Sequence, residues 1–245
     1  MAKKFNAGRC IHCLNFFDDL TSDHVCPQSW YPDTTASDAE KWQAPSCKKC
    51  NSKMGKIEKR LLENIGLCVP PLEYESRGIA QKAMRSVTPE CGHDKHDAES
   101  RERSRQRVIE KAKAVDLTTV PIASILPEFG FHSGDDPSKQ LSVRVSVSDL
   151  KAIGEKLIRG TTWVLAKAYI DTDHSIHIDF PRNPTAGPFF EDLQRYGTLY
   201  SLGTGLSIFR AASGDCQSGI FLITIWGRLH LYGCVAPVNV TAGSH

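Results

Sequence analysis

Hydrophobic and polar positions divide the chain into stretches of different period. Over residues 48–65 (KKCNSKMGKIEKRLLENI) the apolar side chains recur at helical spacing. Met54, Ile57, Leu61, Leu62 and Ile65 share one arc with Asn51 and Glu58, while Lys49, Lys53, Lys56, Lys59 and Arg60 lie opposite and Lys48 sits at the edge. Gly66 and the pair Pro70-Pro71 end this helix. Residues 93–115 (HDKHDAESRERSRQRVIEKAKAV) have the composition of a solvated helix, with Val108, Ala112 and Val115 as a thin apolar stripe. FGFHSGDDPSK, 129–139, reads as a loop. Beyond it, LSVRVSV alternates like a strand and residues 149–168 carry a helical period. YIDTDHSIHIDF reads as strands around a turn, PFFEDLQRYGTLYSLG as a helix with a glycine-rich exit, and LSIFRAA, GIFLITIWG and RLHLYGCV as three closely connected strands.

These elements predict an α+β fold in three zones: a small module over 1–66, a charged, partly helical linker over 67–140, and a separate α+β domain over 141–245. Composition changes this picture little. A chain of 245 residues with 40% hydrophobic and 24% charged residues is an ordinary globular protein. Its net charge of +2 neither requires nor excludes a nucleic-acid partner. The longest apolar run, IFLITIW, is too short to span a bilayer, and the basic start MAKKFNAGRC lacks the apolar segment of a secretory signal; the expected location is cytoplasmic.

Cysteine spacing adds chemistry. Cys10 and Cys13 form one C-x-x-C pair, Cys47 and Cys50 another, and Cys26, Cys68, Cys91, Cys216 and Cys234 are scattered singles. An odd number without a dense framework points to metal binding in a reducing compartment. Each pair can chelate one edge of a tetrahedral ion, so the four thiolates make a closed structural Zn²⁺ site. A module this short buries little surface, and zinc would supply much of its stability.

The two pairs enclose LTSDHVCP and a loop, and Asn51 directly follows Cys50 at the start of the helix. C-x-x-C, D-H-V-x-P, a loop, then C-x-x-C-N-x-K before a helix resembles the zinc-bound HNH endonucleases with a ββα-metal active site, over residues 10 to about 63. The resemblance implies His24 as the general base that takes a proton from the attacking water. It implies Asp23 and Asn51 as ligands of one catalytic cation, Mg²⁺ or Mn²⁺. An imidazole suits proton acceptance at neutral pH, and carboxylate and amide oxygens suit hard cations. The family's middle asparagine, which orients the base, has no counterpart between Phe16 and Cys50. Asp38, Glu40 or a backbone carbonyl are the expected substitutes.

The implied activity is a metal-dependent endonuclease on double-stranded DNA, leaving 5′-phosphate and 3′-hydroxyl ends, compatible with a phage-defence or restriction-like effector or a mobile-element nuclease. A non-catalytic zinc-dependent nucleic-acid-binding module and an RNA-directed nuclease or toxin are the alternatives. Lys48 and Lys59, on the helix flank nearest Asn51, are the candidate backbone contacts. The C-terminal domain is expected to select the target, mediate a homodimer or restrain the nuclease. Other motifs carry less. CGHDKH matches no zinc spacing, His174 and His177 are three apart on a strand and point to opposite faces, and Trp30 and Trp226 read as anchors of core or loop.

Overall fold

The computed structural model describes residues 5–115, 140–180 and 194–238. Short strands Gly8–Arg9 (β1) and Phe16–Phe17 (β2) pair antiparallel around the first C-x-x-C turn, which Leu14 closes at a φ of 62°. Thr21–His24 (β3) pairs antiparallel with Gln43–Ser46 (β4), in a register that sets Asp23 opposite Ala44 and His24 opposite Gln43. The helix Lys48–Ile65 (α1) follows directly, as its apolar period predicts. Cys47 caps it by accepting the Cys50 N–H, and its buried face includes Met54, Ile57, Leu61, Leu62 and Ile65.

The helices Ile79–Ser86 (α2) and Lys95–Lys111 (α3) come next, the second capped by Asp94. Ile79 and Ala83 of α2 are buried in the main core, so this part of the expected linker is packed against the protein. Helix α3 ends before Ala112 because Ala112–Val115 (β5) pairs with Gln140–Val143 (β6); the last two residues of the expected stripe belong to a strand. The expected loop over 129–139 lies outside the described residues.

Ser146 caps the helix Val147–Ala166 (α4). A five-stranded antiparallel sheet completes the fold, in the order β7-β11-β10-β9-β8, from His174–Asp179 (β7), Thr198–Gly203 (β8), Leu206–Ala212 (β9), Gly219–Ile225 (β10) and Leu229–Pro237 (β11). TLYSLG is thus an edge strand where its glycines suggested a helix exit, and residues 188–193 of that expected helix are outside the described set. Strands β9, β10 and β11 are where alternation placed them, while YIDTDHSIHIDF, expected to be strands around a turn, holds the single strand β7.

Helix α4 is wedged between the sheet and the β3–β4 pair. A Cβ on Gly154 would lie 3.0 Å from Ile178 of β7, and one on Gly160 would lie 2.7 Å from Val25, the residue after β3. Both glycines let the helix backbone approach its neighbours closely. One buried cluster joins Ile11, Val25, Trp30 and Ala44 to Ile153, Leu157, Ile208, Phe221 and Leu231, and so runs across the expected boundaries at 66 and 141. Trp30 and Trp226 anchor it. Their ring centroids are 5.3 Å apart, and the Trp226 indole N–H donates to the Trp30 carbonyl at 2.7 Å. Arg60 of α1 holds Asp149 of α4 through two parallel bonds of 2.9 and 2.8 Å, and Arg9 pairs with Asp171 at 2.5 Å.

Candidate metal centre and catalytic hairpin

Both C-x-x-C turns fold into knuckles that aim backbone N–H groups at sulfur. The His12 N–H donates to Cys10 Sγ and the Cys50 N–H to Cys47 Sγ, each at 3.4 Å. The four sulfurs of Cys10, Cys13, Cys47 and Cys50 lie within 4.8 Å of one another, as the spacing predicts, and fit a tetrahedral ion such as zinc. Burial pushes the Cys10 thiol up, but the backbone N–H groups of Cys13, Cys47 and His12 outweigh it and bring it down to about 6. Cys13 and Cys50 are pushed up, by burial first and then by neighbouring sulfurs. One thiolate therefore forms readily and opposes the others, a frustration that a bound cation relieves.

The hairpin beside this centre carries the candidate catalytic residues, and strand alternation separates them. Asp23 points inward and is 4% exposed. One of its oxygens accepts from His12 Nε2 at 2.8 Å, and the other from the Lys156 ammonium at 2.6 Å. Lys156, on α4, is 2% exposed and also hydrogen-bonds the half-buried carboxylate of Glu58 on α1. Burial pushes the Asp23 carboxyl up, but the bond from His12 and the Lys156 charge outweigh it and hold it below its ordinary value. For Glu58 burial dominates the pull of the same ammonium, and its carboxyl is raised. Burial opposes the charged form of Lys156, but the two carboxylates win and raise it. Asp23 and Lys156 are thus a charged, fully engaged buried pair.

His24 faces away from that cluster. Its Nε2 lies 3.0 Å from the amide nitrogens of Gln28 and of Gln43. Gln43 Oε1 accepts from Ser22 Oγ at 2.8 Å, which turns its NH₂ group to the ring. Nε2 is therefore an acceptor, and the ring proton sits on Nδ1. Burial lowers the His24 pKa below its ordinary value; Asp23 pulls it up, and the Lys156 and Lys41 charges push it down again. At neutral pH the ring is uncharged, with its basic atom towards the exposed Gln28. The ring's partners are Gln28 and Gln43, not the expected Asp38 or Glu40. Gln43 reaches the ring because register sets it directly across from His24.

Asn51 stands at the first turn of α1, and its amide nitrogen donates to Thr21 Oγ1 at 3.0 Å and to the Ser22 carbonyl at 3.2 Å. It braces the helix against β3. Asp23 and His24 lie on opposite faces of β3, Asn51 bonds that strand at Thr21 and Ser22, and both oxygens of Asp23 are already engaged. The residues as placed do not fit a divalent cation at Asp23. Lys48 is exposed, and Lys59 lies 3.7 Å from Glu63 on the same helix.

Sequence reading missed His12, Glu58, Gln43 and Lys156. Lys156 and Glu58 left a signal, each as a charged residue at an apolar-face position, the one between Ile153 and Gly160 and the other between Ile57 and Leu61. The expected separation of His174 from His177 holds: His174 bonds Asp173, and His177 bonds Ser175. A cavity of about 510 Å³ lined by Thr35, Glu40, Tyr74, Glu75 and Thr204 involves none of the other candidate residues. No described helix is long and apolar enough to cross a membrane. Compared with known proteins, the chain matches no family model, no curated protein and no solved structure.

Proposed function

We propose that the protein is an HNH-type endonuclease that hydrolyses phosphodiester bonds, with DNA as its substrate and His24 as the reacting base. The observation that carries this reading is the neutral, half-buried His24 imidazole, held by Gln43 on a hairpin flanked by a four-cysteine metal cluster. Zinc at Cys10, Cys13, Cys47 and Cys50 would fix the relation of hairpin to helix and take no part in the chemistry. His24 Nε2 accepts a proton from water after that water replaces the Gln28 and Gln43 amides at its one lone pair. The water oxygen bonds to phosphorus, the P–O3′ bond breaks, and its electron pair leaves on O3′, which takes a proton from imidazolium or solvent. Exposed Lys41, close enough to act on the charge of His24, supplies positive charge for a phosphate oxygen, and Lys48 contributes on the helix flank. The expected Mg²⁺ or Mn²⁺ enters none of these steps.

A second reading, a non-catalytic zinc module that binds nucleic acid, is favoured by the sealed Asp23–Lys156 pair. Zinc-loaded protein incubated with supercoiled DNA, linear DNA and RNA separates the readings. Cleavage of DNA supports the nuclease, cleavage confined to RNA redirects its substrate, and retention of nucleic acid without cleavage favours the binding module. A cytoplasmic location and a homodimer that pairs two such hairpins for double-strand breaks are further parts of this proposal.

A further inference from the structure

The Asp23–Glu58 carboxylates already hold a cation. The Lys156 ammonium lies 2.6 Å from Asp23 Oδ1 and bonds Glu58 Oε1, and His12 occupies the remaining Asp23 oxygen at 2.8 Å. A hard divalent ion at this place needs a carboxylate oxygen at roughly 2.0–2.1 Å and open positions for water. Here both oxygens are engaged and the space between the carboxylates is filled. Displacing Lys156 would strand an ammonium in the interior. Helix α4 has little room to carry it away, because Gly160 lies flush on Val25 and Gly154 on Ile178.

We propose that the Lys156 ammonium is the permanent cation of the Asp23–Glu58 pair, so that this hairpin binds no Mg²⁺ or Mn²⁺ and His24 acts without a divalent metal at Asp23. The activity part rests on the reading of this hairpin as catalytic; the charge assignment stands apart from it. Lys156 is sealed from solvent and cannot touch a phosphate. It is a positioning residue, which fixes β3 through Asp23 and, through the other Asp23 oxygen, the His12 knuckle of the metal centre.

The test is a Mn²⁺ titration of the zinc-loaded full chain, with free Mn²⁺ read by electron paramagnetic resonance. The wild type is expected to bind no Mn²⁺ that depends on Asp23. Either no binding, or binding retained in Asp23→Asn, agrees with this; one equivalent bound by the wild type and lost in Asp23→Asn overturns it. Glu58→Gln replaces Asp23→Asn in that comparison if the latter does not fold. Lys156→Met, where it folds, is expected to gain Mn²⁺ binding at least about tenfold tighter than wild type, since it frees two carboxylates for one ion; a folded Lys156→Met with no gain contradicts the assignment. Wild-type cleavage that persists without Mg²⁺ at full zinc content agrees with the proposal, and cleavage that requires Mg²⁺ contradicts it. A chain that cleaves nothing would defeat the nuclease reading, while the Mn²⁺ titration would still decide the charge assignment.

Discussion

Replacing Lys156 by Met keeps the methylene stem and removes the charge, leaving Asp23 and Glu58 facing each other with no counter-ion. Asp23 is 4% exposed, so water cannot make up the loss. Breaking a buried pair from one side costs about 3–5 kcal/mol. For a chain of this size about 2–4 °C of melting temperature corresponds to each kcal/mol, so the variant should melt about 6–20 °C lower at pH 7.5. The sign of the pH dependence follows from the shifts. The depressed Asp23 carboxyl contributes stability that is present above its unfolded value and is lost as pH falls through the folded one. The raised Lys156 contributes stability that is lost only as pH rises through its folded value, above the ordinary lysine range. Between pH 5 and 9 the wild-type pair is therefore constant. In Lys156→Met, burial and mutual repulsion raise both carboxyls, so the variant regains stability on acidification and the gap narrows towards pH 5. Removing all three charges together, as Asp23→Asn, Glu58→Gln and Lys156→Met, should recover most of the loss, because a neutral buried set needs no counter-ion. Thermal melts by circular dichroism at pH 5 and 7.5 measure each of these. A single variant within about 1 kcal/mol of wild type at pH 7.5, or a gap that does not change with pH, would refute the reasoning.

Cys47→Ser should lose the metal and melt the hairpin, since Cys47 is both a candidate ligand and the N-cap of α1; zinc analysis beside a melt reads this, with about one zinc per wild-type chain expected. Gly160→Ala should destabilise by about 1–3 kcal/mol through contact with Val25, outweighing the helix-propensity gain. Gly55→Ala, in α1 with nothing within 4 Å of an added Cβ, should instead stabilise by about 0.5–1 kcal/mol, and paired melts check both. Cleavage rates should fall on the acid side with a midpoint below the ordinary histidine value, because the base must be unprotonated and burial lowers His24; a pH–rate profile with its acid limb above about 6.5 would contradict this.

Much of this molecule is local enough to read from sequence. The α1 face, the strands β9 to β11 and the four-cysteine cluster each follow from a period or a spacing, and packing did not overrule them. Gln43 was not legible, because its place opposite His24 depends on strand register across a loop of unspecified shape. Lys156 was not legible as a partner of Asp23, because a buried ion pair between residues so distant in sequence leaves only one polar residue on an apolar face. The boundaries at 66 and 141 followed composition, whereas α4 buries surface on two sides and Trp30 meets Trp226 across the whole chain. A helix with glycines on both packed faces reads in one dimension like a helix with one apolar stripe. Asp23-His24 looked like a single unit, yet the pleat turns one side chain inward and the other outward.

The most direct measurement is DNA cleavage by His24→Ala beside wild type, with zinc content and melting temperature determined on the same samples. Removal of a general base lowers rate by about 10²–10⁴-fold. The variant should therefore lose cleavage to that extent while keeping its zinc and melting close to wild type, since among the described residues the imidazole bonds Gln28 and Gln43 at the hairpin surface. A variant that cuts DNA at the wild-type rate would contradict the assignment of His24 as the base.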